Sequence, residues 1–301
     1  MGELLRGLEG VRSLLPVLSH ALMKGNCGRM MVVGGSTEYT GAPYFAAISM
    51  LRLGADLVHV FTVPEAAAVI KSYSPELIVH PSIEDSISYI GRASALIIGP
   101  GLGRNISQKQ LLLKLLEAAK VNSTPTVIDA DGLWLLQECW TPNIKLPSPT
   151  FLTPNLKELD CLNKTILYNK SISDEDKQAT AAALSREMGA HMFLKDMADI
   201  YAFNGKAEMG PCEGGCARRP GGIGDVLSGC LATFLFWARK SEDLINSGLV
   251  ERQAFHAASS MVKECSYRAF KDHGRSMSAV EVIQEIKHVV KELDQASHKS
   301  T

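Results

Sequence analysis

Residues 95–129 read ALIIGPGLGRNISQKQLLLKLLEAAKVNSTPTVID, and this stretch decides how the chain folds. Ala95 to Ile98 is a short apolar run, too brief for a helix and suited to a strand buried on both faces. It ends at Gly99-Pro100-Gly101-Leu102-Gly103, and a leucine-rich helical pattern follows from about Ser107 to Lys120. A second apolar run, Thr126 to Ile128, closes at Asp129. Strand, glycine turn, helix and strand make one βαβ unit, whose strands lie parallel because a helix-long connection crosses over rather than turning back.

The alternation extends in both directions. Upstream, Met30 to Val33 is a strand ending in Gly34-Gly35, followed by a helix from Pro43 to Leu53. Leu57 to Phe61 is the next strand, then a helix from Pro64 and a strand at Leu77 to Val79. Downstream, Phe151-Leu152 closes at Thr153-Pro154, and His191 to Leu194 closes at Lys195. Repeated this often, the pattern predicts an α/β fold with a mostly parallel sheet covered by helices on both faces.

After Lys195 the character changes. Ile200 to Phe203 and Ala207 to Met209 flank Asn204-Gly205, the signature of a tight β-hairpin. Helical patterns then cover Asp225 to Lys240, Leu249 to Tyr267 and Ala279 to Leu293. No Pro-, Gly- or Ser-rich linker, repeat or low-complexity tract divides the chain, and Pro142 to Pro149 reads as a surface loop. Residues 1–301 are therefore expected to form a single domain. At the N-terminus Leu4, Leu5, Leu8, Val11, Leu14, Leu15, Leu18 and Leu22 fall on a helical period, predicting an amphipathic helix of that domain.

Composition excludes several classes. Thirty-one basic against thirty-two acidic residues leave a formal charge of −1, without the broad positive footprint of a nucleic-acid binder. No apolar run approaches the ~20 residues of a membrane helix. The seven cysteines are an odd number, and the nearest pair, Cys212 and Cys216, has no neighbouring histidine to complete a zinc site. Reduced thiols in a cytosol-like compartment are expected. The N-terminal pattern carries Glu3 and Glu9 beside Arg6 and Arg12, unlike a transit peptide. The cytoplasm is the expected location, with a mitochondrial isoform open through an alternative first exon.

In a parallel α/β sheet ligands bind beyond the carboxyl ends of the strands, so chemistry is sought just after each strand. The most specific signal is Arg218-Arg219-Pro220-Gly221-Gly222-Ile223-Gly224-Asp225, leading into an apolar helix. Three glycines in four positions at a helix start expose successive backbone N–H groups, forming an anion hole suited to phosphate. Asp225, at its rim, is placed to take a proton from a hydroxyl about to be phosphorylated; the plain alternative is an Asp N-cap after a flexible turn.

Three further segments carry weaker signals. Gly99 to Arg104 superficially resembles a dinucleotide fingerprint, but its third glycine comes one position early; it is either a turn that admits a ligand or a simple strand-to-helix turn. In Thr153-Pro154-Asn155-Leu156-Lys157-Glu158, Asn155 and Glu158 could face one ligand or orient Mg²⁺ through water, although an ordinary capped helix start is the favoured reading. The glycine-rich loop from Gly34 to Pro43, containing Tyr39, is longer than a connection needs. Asp129 and Asp131 read either as carboxylates behind the site or as turn residues. No Walker loop and no nucleophile elbow is present. The composite predicts an ATP-using enzyme acting on a hydroxyl.

Taken in order, these motifs resemble the ribokinase-like superfamily, and within it the ATP-dependent NAD(P)H-hydrate dehydratases. The resemblance spans about Leu15 to beyond Tyr267 and includes Tyr73-Ser74-Pro75-Glu76, which is similar to the eukaryotic branch. It implies a three-layer α/β/α sandwich and a repair reaction on the (S) epimer of hydrated NADH or NADPH. There the C6 hydroxyl is phosphorylated by ATP and phosphate is then lost. It implies Asp225 as the base, and Lys195, Asp199, Gly221, Gly222, Ile223 and Gly224 around ATP. Tyr39, Gly101, Gly103, Asn155, Leu156, Lys157, Glu158 and Asp225 would line the hydrated dinucleotide. No residue is implied as a direct metal ligand, and Mg²⁺ would accompany ATP. A separate NAD(P)H-hydrate epimerase would be the metabolic partner, and self-association through helical faces is a common habit of such enzymes. The sequence departs from the family's Lys-Gly-X-X-Asp at Lys195-Asp196-Met197-Ala198-Asp199, where Asp196 replaces glycine and implies weaker ATP binding. Pro220 is a second departure. A vitamin-precursor kinase and a non-catalytic nucleotide-binding regulator are the alternative readings.

Overall fold

The computed structural model describes residues 8–169, 171–173, 175–211 and 214–298. Its strands are β1 (Arg29–Val33), β2 (Leu57–Phe61), β3 (Ile78–His80), β4 (Ala95–Ile98), β5 (Thr126–Ile128), β6 (Thr150–Leu152), β7 (His191–Leu194), β8 (Ile200–Phe203) and β9 (Lys206–Met209). They form one sheet in the order β3-β2-β1-β4-β5-β6-β7-β8-β9. Pairing is parallel from β3 through β7. It turns antiparallel at β8 and β9, where Asn204 and Gly205 both take positive φ in the two-residue turn.

Successive strand residues feed opposite cores, as the two-residue period of a strand demands. Met30, Val32, Val60, Ile97, Val127 and Phe193 enter one; Met31, Val33, Phe61, Ile98, Leu152 and Leu194 enter the other. The helices divide between these faces. In chain order they are α1 (Glu9–Arg12), α2 (Gly41–Leu53), α3 (Pro64–Tyr73), α4 (Ser86–Tyr89), α5 (Lys109–Val121), α6 (Asp131–Cys139), α7 (Leu156–Ile166), α8 (Lys177–Met188), α9 (Ile223–Ala238), α10 (Glu242–Ser247), α11 (Val250–His273) and α12 (Ala279–His298). Helices α2, α9, α11 and α12 cover the first core, while α5, α6, α7 and α8 cover the second. The result is the expected three-layer sandwich.

Two features position the functional end. Strand order reverses between β1 and β4, so the loops leaving these neighbours diverge and open a crevice. At its floor Gly35 N donates to Pro100 O at 2.9 Å, and a Cβ on Gly34 would lie 2.3 Å from that same oxygen. The second feature is the fit of α9 against α2. A Cβ on Gly229 would fall 2.4 Å from Ala46 O, so the backbones of α9 and α2 touch and only glycine allows this approach.

The structure corrects three expectations. The N-terminal helix is one turn, α1, and ends at Ser13. Pro16 explains the stop, because proline disfavours helix in the residue before it and removes a donor. Val17 and Leu18 beyond it are 87% and 71% exposed, while Leu4 and Leu5 lie outside the described residues, as does Cys212. Second, α2 begins at Gly41, so Pro43 is its third residue rather than its first. Third, α9 begins at Ile223 with Gly222 as N-cap, which places Asp225 inside the first turn instead of at its start.

Candidate active site

Three segments meet at the carboxyl end of the sheet: Asp129 after β5, Asn155 to Glu158 after β6, and Lys195 after β7. Lys195 N donates to Pro154 O at 2.9 Å, and Asn155 and Lys195 pair as an isolated parallel bridge, so these last two segments run side by side. The first turn of α9 faces them. A Cβ built on Gly224 would lie 3.3 Å from Lys195 Nζ.

That turn is built from backbone alone. Gly222 has φ +95°, and a Cβ there would sit 2.8 Å from both Ala279 and Phe45, so only glycine fits. No side chain caps the helix, and its first internal bond is Val226 N to Gly222 O at 3.1 Å. The N–H groups of Ile223, Gly224 and Asp225 therefore project from the helix end together with the positive end of its dipole. Gly221 is exposed beside them.

Charge is concentrated opposite this turn. Lys195 Nζ donates to Asp129 Oδ1 at 2.7 Å, and Ser228 Oγ, on α9, donates to Asp129 Oδ2 at 2.6 Å. Asp129 is buried and also accepts from Ala130 N at 2.8 Å. Burial pushes the Asp225 carboxyl up to about 8; Asp129 adds to the effect, Lys195 opposes it, and Asp131 and Glu158 contribute further. Burial alone would lower the Lys195 ammonium, but Asp129, Glu158 and Asp225 hold it above the usual lysine range. Burial likewise raises Glu158, with Lys195 pulling the other way. Three carboxyl groups, Asp129, Glu158 and Asp225, thus act on one ammonium, and Asp225 still holds its proton at neutral pH.

The predicted dinucleotide side divides. Gly101, at φ +63°, lies so close to Tyr39 that a Cβ would meet its carbonyl oxygen at 2.8 Å, which joins the loops after β1 and β4. Gly103 N donates to Asp131 Oδ2 at 2.9 Å, and Arg104 Nε approaches Asp131 Oδ1 at 3.4 Å. Asn155 and Glu158 form a reciprocal capping box on α7: Glu158 N donates to Asn155 Oδ1 at 3.0 Å and Asn155 N to Glu158 Oε2 at 2.8 Å. The capped-helix reading of this motif therefore holds, while Glu158 still shares the field of Lys195. Leu156 is half-buried and Lys157 exposed on the same turn.

Asp199 stands apart. Its carboxylate accepts from Asp196 N at 2.9 Å and Ser259 Oγ at 2.6 Å, with Lys263 Nζ at 3.4 Å. It is buried, bracing the loop after β7 against α11. Asp196 forms an ion pair with Lys177. Burial opposes ionisation there, yet Lys177 and then Arg219 hold the carboxyl below its usual range. Sequence reasoning missed Ser228, whose only signal is one hydroxyl within an apolar helix, and left Asp129 undecided although it joins the two halves of the cluster.

The fold is that of the ribokinase-like proteins. One such superfamily member, from Enterococcus faecalis, superimposes with a TM-score of 0.75 over 96% of this chain and 97% of its own, at 20% identity. A Bacillus subtilis ADP/ATP-dependent NAD(P)H-hydrate dehydratase co-crystallised with ATP and Mg²⁺ gives 0.72 over 94% and 96%, also at 20% identity. Sequence similarity is narrower. The NAD(P)H-hydrate dehydratase family profile matches residues 30–288. The Caenorhabditis elegans ATP-dependent (S)-NAD(P)H-hydrate dehydratase is 42% identical over 297 residues, which cover 96% of this chain and 95% of that protein. The chain belongs to the NAD(P)H-hydrate dehydratase family.

Proposed function

We propose that the chain dehydrates the (S) epimer of hydrated NADH and NADPH at the expense of ATP, regenerating the intact dinucleotide. One observation carries this reading: a protonatable carboxyl, Asp225, lies in the uncapped glycine turn of α9, beside the half-buried ammonium of Lys195.

The chemistry follows from the leaving group. Hydroxide departs poorly from C6, whereas phosphate departs well. Asp225, once ionised, takes the hydroxyl proton as C6–O attacks the terminal phosphorus of ATP. The N–H groups from Ile223 to Asp225 and the Lys195 ammonium meet the charge growing on the transferred phosphoryl oxygens. The C6–O bond then breaks with its electron pair on phosphate, the ring-nitrogen lone pair fills in, and a proton leaves C5. ADP, phosphate and NAD(P)H are the products.

In this reading Tyr39, Gly101, Gly103 and the segment Asn155 to Glu158 line the dinucleotide, and the loop from Lys195 to Asp199 flanks ATP. Asp199 acts there by shaping the loop and not by touching nucleotide. Oxygen donors near the glycine turn suit Mg²⁺ carried in on phosphate and water, with Glu158 a carboxylate that could receive it; bound there, it would neutralise phosphate charge. Among the described residues no three His, Cys, Asp or Glu side chains form a metal-holding group, and no helix is long and apolar enough to cross a membrane. The whole chain acts as one catalytic unit, with a separate epimerase supplying the (S) form in the cytoplasm.

The test mixes purified protein with hydrated NADH, Mg²⁺ and ATP, following near-ultraviolet absorbance and phosphate release together. Equal recovery of both is expected. A stable phosphorylated product of a vitamin precursor, with no NADH regained, would replace this reading with a kinase.

A further inference from the structure

We propose that Asp129 is a positioning residue for phosphoryl transfer, holding the Lys195 ammonium beside the glycine turn and tying that turn to the sheet through Ser228. The inference deepens the functional reading above and rests on it.

Asp129 is 1% exposed, and both carboxylate oxygens are engaged. Oδ1 accepts from Lys195 Nζ at 2.7 Å and from Ala130 N at 2.8 Å, while Oδ2 accepts from Ser228 Oγ at 2.6 Å. These donors come from three separate places: the loop after β7, the residue following Asp129 itself, and α9 one turn beyond Asp225. Ala130 adopts φ 48°, ψ −120°, a conformation an alanine holds only where its surroundings impose it. The chain accepts that strain at the point where Ala130 N–H closes onto the carboxylate.

The glycine at 224 completes the arrangement. A side chain there would reach to 3.3 Å from Nζ, so its absence leaves the ammonium a berth directly against the turn. One buried carboxylate therefore sets the spacing between a cation and the backbone donors that would meet the same phosphoryl group. A structural ion pair between β5 and β7 would need neither the hydroxyl from α9 nor the vacant position at 224. Fixed donors favour the transition state because no reorganisation is needed as charge develops.

The groups facing Asp225 are Asp129 after β5, Asp131 on α6, Glu158 on α7 and Lys195 after β7. Asp129→Asn removes one negative neighbour and frees Lys195 to lean toward Asp225. Both changes favour ionised Asp225, so the acid limb of the rate profile moves to lower pH. A merely structural loss would lower the whole profile without shifting it.

The experiment measures Asp129→Asn, Ser228→Ala, Lys195→Met and the Asp129→Asn/Lys195→Met double variant with hydrated NADH. Calorimetry with ADP, and with ADP plus aluminium fluoride, both with Mg²⁺, runs alongside. We expect kcat of Asp129→Asn to fall roughly 30- to 300-fold with KM for ATP within about threefold. The fluoride complex should bind at least about tenfold more weakly while ADP binding is unchanged. Because Asp129 acts through Lys195, the double variant should lose little more than Lys195→Met alone. Folded Asp129→Asn with kcat within about threefold of wild type, or a fully multiplicative double variant, would overturn the proposal. Should Asp129→Asn fail to fold, the same cycle between Ser228→Ala and Lys195→Met decides it. If the wild-type protein regains no NADH, the functional reading falls, and the contrast between ADP and its fluoride complex alone judges Asp129.

Discussion

Asp225→Asn should inactivate the protein and make it more stable, and the stabilisation should depend on pH in one direction only. The folded carboxyl titrates near 8 against an ordinary value of 3.8, chiefly because it is buried, so folding retains a proton that the unfolded chain gives up. Below the unfolded value both states are protonated and Asp225 carries no penalty. As pH rises toward the folded value the unfolded state is favoured progressively, and above it the full cost applies. At ~1.4 kcal/mol per tenfold change in proton affinity, the penalty at pH 7 is on the order of 4 kcal/mol. An amide of the same shape has no proton to lose. Asp225→Asn should therefore match wild type near pH 4 and exceed it by about 4 kcal/mol near pH 7, roughly 7 °C in Tm for a chain of this size. Urea midpoints and thermal scans at several pH values measure this directly. Equal stabilisation at pH 4.5 and 7.5, or a variant weaker than wild type at pH 7.5, would refute a buried carboxyl held by desolvation.

Other consequences are simpler. Gly99→Ala would put a Cβ 1.9 Å from Asp129 O at φ +125°, so a loss of about 3 kcal/mol or more is expected, seen as a lowered Tm or insoluble protein. Lys177→Ala removes the cation paired with Asp196 and leaves that carboxylate in the loop proposed to flank ATP; the Kd for ATP should rise about 3- to 10-fold, and adding Asp196→Gly should restore it. In wild type, kcat/KM for the hydrated dinucleotide should climb with pH toward about 8, the point at which Asp225 ionises in the free protein; a profile flat from pH 6 to 8 would remove Asp225 as the base.

The sheet was legible because its parallel strands are short apolar runs that stop at a glycine, a proline or a polar residue, and several of these terminators lie at the candidate site. Gly99, Asp129 and Lys195 all follow strands directly. The glycine turn before α9 was legible because three glycines in four positions at a helix start are more than a cap requires. What escaped was whatever depends on partners far apart in the chain. Ser228 meets Asp129 across 99 residues, and no local pattern announces that bond. Asp199 is likewise bonded to Ser259 and Lys263, sixty or more residues on, which its motif alone does not announce. At the N-terminus the leucine period suggested a long helix, and a single proline at position 16 outweighed it.

The two margins of the sheet bear on how the protein behaves at high concentration. β3 is only three residues long, and β9, at the other margin, carries Lys206 and Glu208, the latter held by Arg252 at 2.5 Å and His256 at 3.2 Å. Short or charged margins are poor templates for a foreign strand. A nine-stranded scaffold finished in this way resists growing into fibrils, and any pairing of copies is steered away from strand addition toward its helical flanks.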